Sequence, residues 1–320
     1  MPLRGNVRDA LRVAVFPVEG YKGDVHYLLL PLYLANGSAP GPEDLYARVV
    51  TRAYEHAQSQ LLSKVSFVVN HSKWEDPWVV TTEHYEVRTT SSYRFAAETG
   101  RSLEFMYEEF SKLLGTGQAT SGKFPVWIFP TLSDYNAFGQ QNGAEHSSML
   151  GSFYSVQHPE RPVVTYWIPN RTLLGMWITH SAVHQYLEQT FGEQSTVWVA
   201  EGLAGFFSLY WDWPYGAREL ERMKASKAYL PLEHLVRDPL PAYLTNPNER
   251  FIELGMLFRF LLNYYEPTKS EEGNASLSPF QAFLRLAVRG QDVSRTEFAQ
   301  IFSEGASKLD EDFKRFEFPR

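Results

Sequence analysis

The chain contains no cysteine. That excludes a disulfide framework and any thiolate metal site. Long apolar runs are missing as well. The stretch VHYLLLPLYLA at 25–35 is too short to span a bilayer and carries Pro31. The N-terminus lacks both a long apolar core and a small-residue cleavage site. The expectation is a soluble protein without a membrane span, either cytoplasmic or, given without its signal peptide, secreted or periplasmic. No block of like charge is present, and the net charge of −7 lacks the basic excess of a nucleic-acid binder. A phosphate-cradling loop, a GxGxxG opening a helix, a GxSxG elbow, internal repeats and low-complexity tracts are all absent.

What the chain does have is core-forming material. Hydrophobic residues make up 44% and aromatic residues 15% of its 320 positions. That is enough for one large domain or two to three smaller ones with ring-packed interfaces.

The pattern along the chain predicts strands at 11–18 and 26–35 and a helix over 42–65. From about Trp74 it predicts a strand at 83–92, a helix at 97–115 closed by Gly115, a strand at 124–130, a helix capped near Ser133 and a strand at 161–169. The remainder reads as helices at 172–191, 196–211, 217–227, 249–265, 278–289, 295–303 and 306–316. The implied organisation is an N-terminal α/β extension (1–73), a β-containing subdomain (74–171) and a helical C-terminal subdomain (172–320). The fold class is α+β.

One segment carries chemistry: THSAVHQYLEQTFGEQSTVWVAEGLAG, residues 179–205. On a helix, His180 and His184 lie one turn apart on one face, within reach of a single ion. The pair alone is weak, since a chain with nine histidines carries a chance HxxxH about a quarter of the time. Two hydrogen-bonded histidines on a half-buried helix are the plain alternative. Glu201, however, follows after a break at Gly192, inside an apolar segment where an unpaired carboxylate is costly and a cation removes the cost. Gly202 and Ala204 beside it permit close helix approach.

HxxxH followed by WxxEGxA, after a strand such as VVTYWIP, resembles the gluzincin zinc metallopeptidases. More narrowly it resembles peptidase-MA-like bacterial families such as DUF1570, over roughly residues 74–316. The resemblance implies a thermolysin-like fold, a Zn2+ ion, His180 and His184 as its first two ligands and Glu201 as the third.

The chain departs from that family at the chemistry. In such peptidases the residue after the first histidine is a glutamate, the general base that moves a proton from water to the leaving amine. Here it is Ser181, and a hydroxyl is a far weaker base. Glu188 lies about 10 Å further along the helix axis. Glu145 and Glu253 have no sequence support as substitutes. Where the family tends to place an oxyanion-stabilising tyrosine, this chain has Phe251, which cannot donate a hydrogen bond.

The leading expectation is therefore a degenerate zinc peptidase that binds metal and serves as a binding or assembly module. Its partner would be an extended peptide or protein laid along the strand at 162–169. An active endopeptidase with an unconventional base and a metal-free scaffold of the same fold remain as alternatives. The aromatic cluster LYWDWPYG (209–216) reads as core or interface packing, with a groove lining as the second option. His56, His71, His84 and His234 lack ligand spacing and read as surface or packing residues.

Overall fold

In a computed structural model of the chain, the described residues are 11–19, 25–34, 71, 73–115, 117, 122–142, 144, 151–192, 195–226, 228–237, 246–264 and 277–318. The helix expected at 42–65 and the loop carrying Glu145 lie outside them. The chain divides into two compact units, Met1–Pro77 and Trp78–Arg320.

In the first unit β1 (Leu11–Glu19) and β2 (Val25–Leu34) form an antiparallel pair. Its register shifts between Arg12, opposite Tyr33, and Val13, opposite Pro31. A proline has no N–H to give to a ladder, so a shift beside it is where pairing is expected to slip.

The second unit is α+β. Its sheet contains β3 (Trp78–Thr81), β4 (Tyr85–Thr89), β5 (Phe124–Phe129), β6 (Ser152–Tyr154) and β7 (Val163–Tyr166), ordered β3-β4-β5-β7-β6. The strands β4, β5 and β7 run parallel, whereas β3 and β6 are antiparallel to their neighbours. The central strand, FPVWIF, is buried along its whole length. A strand covered on both faces needs an unbroken apolar run, and this one has it. In β4 only Tyr85, Val87 and Thr89 are buried, in strict alternation.

Helix α1 (Tyr93–Leu114) carries the chain from β4 to β5. It begins four residues before the expected 97, because the Ser92 hydroxyl accepts the Phe95 N–H at 3.1 Å and caps it. At its other end Arg285 donates to the Leu113 carbonyl at 3.1 Å and Arg289 to that of Leu114 at 3.1 Å. Those carbonyls have no partner within the helix, and the arginines also complement its negative pole. Helix α2 (Leu132–Gln141) is capped by Thr131, not by Ser133.

Then follow α3 (Arg171–Phe191), α4 (Val197–Leu209), α5 (Trp213–Ser226), α6 (Leu232–Arg237), α7 (Pro247–Tyr264), α8 (Pro279–Ala287) and α9 (Glu297–Arg315). The two helices expected at 295–303 and 306–316 are the arms of α9, which bends at Gly305, where φ is −144° and ψ 25°. No helix among the described residues is long and apolar enough to cross a membrane.

The helix crossing that matters most is α4 on α7. A Cβ on Gly205 would lie 2.4 Å from the Phe251 carbonyl oxygen, and one on Gly255 would lie 2.6 Å from the Gly205 carbonyl carbon. The two backbones therefore touch at a point where neither helix has a side chain. Gly202 is similarly roofed by the Phe258 ring, 2.0 Å from where its Cβ would stand. Of the small residues read from the sequence, Gly202 lies at this interface as expected, and Gly205 and Gly255 complete it.

Candidate metal centre

Asn170 starts α3 by accepting the Leu173 N–H at 3.0 Å, and Gly192 ends it in the left-handed conformation with φ 80°. Between them His180 and His184 project from one face, their Nε2 atoms 3.3 Å apart. The chain reverses and α4 brings Glu201 back to them. One carboxylate oxygen lies 3.5 Å from His180 Nε2 and the other 3.6 Å from His184 Nε2. Among the described residues this is the one group of three or more His, Asp or Glu side chains able to converge on an ion.

The spacing is chemically specific. Donor atoms at the usual 2.0–2.1 Å from a tetrahedral ion lie about 3.3 Å from one another. The two imidazole nitrogens, 3.3 Å apart, match that requirement, and each has one oxygen of the Glu201 carboxylate beside it, at 3.5 and 3.6 Å. All three side chains are only partly exposed.

Burial pushes the His184 imidazole below its usual pKa against the opposing pull of Glu201. Burial alone would raise the Glu201 carboxyl, but the His184 charge and the His180 hydrogen bond outweigh it and hold it at about 2. The carboxylate is thus held ionised by positive charge beside it, a role that a divalent cation would take over once both imidazoles are neutral.

The surroundings are sparse. The Phe251 ring, on α7, stands edge-on to His180 with centroids 5.3 Å apart and an interplanar angle of 73°. The position singled out for a missing hydrogen-bond donor thus lies at the site. Neither His180 nor His184 donates through Nδ1 to a protein acceptor among the described residues, so the rings are oriented by packing and by their Nε2 contacts with each other and with Glu201.

Ser181 makes its contact with the sheet. It is 2% exposed, and its hydroxyl lies 2.8 Å from that of Ser152 on the edge strand β6. Ser152 donates its own proton to the Trp177 carbonyl at 2.6 Å, so Ser181 is the donor to Ser152. Nothing in the sequence marked Ser152, because β6 is three residues long and exists only through its pairing with β7.

The other carboxylates are engaged elsewhere. Glu188 accepts from the Tyr154 hydroxyl at 2.7 Å and pairs with Arg161. Glu253 is fully buried on α7, accepting from the Leu230 N–H at 2.7 Å and from Arg250 at 2.7 Å. The strand expected to form the free rim, 162–169, is paired on both sides as β7. The edge of the described sheet on this side is β6. His84 is a packing residue, held by Glu104 at 2.6 Å and stacked on Tyr107.

No protein-family profile, curated protein or solved structure matches the chain.

Proposed function

We propose that this chain is a gluzincin-like protein whose metal centre has outlived its peptidase chemistry. The reading rests on one observation above all, the convergence of His180, His184 and Glu201, with the imidazole nitrogens 3.3 Å apart and one carboxylate oxygen 3.5 or 3.6 Å from each. Two imidazoles and a carboxylate suit zinc best among common divalent ions, with a fourth position left for solvent or a ligand. When bound, zinc supplies Lewis-acid polarisation and an acidified water.

The protein's own residues supply the rest of the site, and they supply little. Ser181 cannot accept a proton at neutral pH, and its hydroxyl is committed to Ser152. Phe251 offers a ring edge where an oxyanion needs a donor. Glu188 and Glu253 are held by other partners. A site that grips an ion yet lacks a proton carrier favours binding over turnover. The occupant this reading assigns is an extended peptide added along β6, the edge strand next to α3.

Metal analysis of protein purified without a histidine tag tests the proposal. Near-stoichiometric zinc that is lost in Glu201→Ala is the expected result. Metal-free protein whose stability ignores zinc and chelator overturns it. The second reading, a metal-free scaffold, draws on the lack, among the described residues, of outer hydrogen-bond partners at both Nδ1 atoms, since metal-bound histidines usually have them.

A further inference from the structure

The aromatic residues after α4 form part of a second, separate site. Tyr210 is 44% exposed, Trp211 36% and Phe105, across from them on α1, 41%. Large rings left open side by side mark a surface built to be covered. They border two adjoining cavities, of about 170 and 410 Å³, which share Ser102 and Trp211. Leu103, Leu174 and Ile178 wall the first, Met106 and Phe105 the second. The groove follows α1 from Phe95 to Met106, roughly 16 Å at the helical rise.

Its floor is rigid. The Trp211 indole donates to the Thr179 hydroxyl at 2.8 Å and lies on Gly175, where a Cβ would come within 2.8 Å of the ring. Its rim is positively charged. Glu98 is paired with Arg94 at 2.7 Å, whereas Arg101 and Arg171 have no ion-pair partner among the described residues. Arg171 instead lies over the Phe95 ring, 4.0 Å from its centroid, at one end of the groove.

We propose that this groove binds a linear apolar carboxylate, its chain lying along α1 against Trp211 and Tyr210 and its head group held by Arg171 and Arg101. Apolar walls about 16 Å long suit an unbranched chain of lauroyl length. Glu98 lies at the same rim, its carboxyl pKa lowered first by its hydrogen bond from Arg94 and further by Arg171 and Arg101, so three guanidinium groups face one carboxylate and leave positive charge for a second, from the ligand. Thr179 and His180 point to different sides of α3, so the groove is distinct from the metal centre and its occupancy is independent of the ion.

Titration calorimetry of the full chain with laurate, below its micelle concentration, tests this. Saturable one-site binding is expected, with dodecyltrimethylammonium bound about tenfold or more weakly because its head is repelled. Ser102→Phe, which fills both cavities, should abolish laurate binding while leaving the melting temperature and zinc content unchanged. If that variant does not fold, the pair Arg101→Gln and Arg171→Gln serves instead, and should weaken laurate about tenfold with little effect on dodecanol. No saturable binding by the unaltered chain, undiminished binding by folded Ser102→Phe, or equal affinity for the cationic amphiphile overturns the proposal.

Discussion

The hydroxyls of Ser181 and Ser152 lie 2.8 Å apart, and Ser152 is bonded in turn to the Trp177 carbonyl. This short chain ties the histidine helix to the edge strand of the sheet. A glutamate at position 181 would have to enter this buried contact, since Ser181 is 2% exposed. Serine here is therefore part of a buried polar contact.

That relationship predicts the stability of two variants. Ser181→Glu alone should destabilise the fold by about 1–3 kcal/mol, because it buries a carboxylate against a side chain that leaves it no room. Adding Ser152→Gly should recover part of the loss. Urea denaturation of the single and double variants checks this. A single variant as stable as the unaltered chain would mean that position 181 is not closed.

Metal should act as a stabilising ligand. At a zinc concentration of one hundred times its dissociation constant, the native state gains about 2.7 kcal/mol. The melting temperature should rise with zinc, fall with chelator, and respond to neither in Glu201→Ala. Differential scanning calorimetry gives the readout.

The contact between Gly205 and Gly255 holds Glu201 and Phe251 in place, since each lies four residues from a crossing point. Gly205→Ala drives its Cβ into the Phe251 carbonyl, and backbone cannot move aside as a side chain end can. A loss of about 1–3 kcal/mol is expected, together with weaker zinc binding. Gly305→Ala is the control. Nothing lies within 4 Å of the added carbon and φ is −144°, so it should be neutral or slightly stabilising.

These residues also show what could be read beforehand. The His180, His184 and Glu201 cluster was legible because two of its members are local, fixed by one helical turn, and the third follows a break that Gly192 announces. The amphipathic helices were legible for the same reason. The short strands β3 and β6 were not, since four and three residues carry too little periodicity and their state is decided by pairing. Ser152 and Gly255 were invisible as site residues because their partners lie far away in sequence. The true start of α1 turned on one serine cap.

Burial pushes the Glu253 carboxyl up to about 7, even with the Leu230 N–H and Arg250 favouring its charge. A raised carboxyl pKa means that the folded state holds the proton more tightly than the unfolded one. This group's contribution is therefore fully favourable below the ordinary value near 4.5 and is lost as pH rises toward about 7. Arg250→Ala strips away the partner and should cost about 3–5 kcal/mol at pH 8, where the charge must stay buried alone. The cost should shrink at pH 5.5, where Glu253 takes up a proton. Denaturation curves at the two values decide it, and a pH-independent cost would show that the carboxyl is ionised throughout.

Activity is the sharpest test of the metal centre. Loss of a positioned general base lowers rates by about 10²–10⁴-fold, and here neither Glu188 nor Glu253 is free to take over. Zinc-loaded protein should therefore show little or no cleavage of unstructured peptides. Activated esters, whose leaving groups need no proton, should be hydrolysed slowly and in a chelator-sensitive way. Restoring the base requires room as well as a carboxylate, so Ser181→Glu should act only together with Ser152→Gly. Phe251→Tyr should add to that pair, because its hydroxyl would stand beside His180, where a developing oxyanion needs a donor. A fluorogenic peptide assay across the series gives the ranking. Robust chelator-sensitive proteolysis by the unaltered chain would restore the active-enzyme reading, with a proton carrier other than those considered. Silence from the triple variant, with its zinc in place, would place the remaining defect in the approach of substrate to β6.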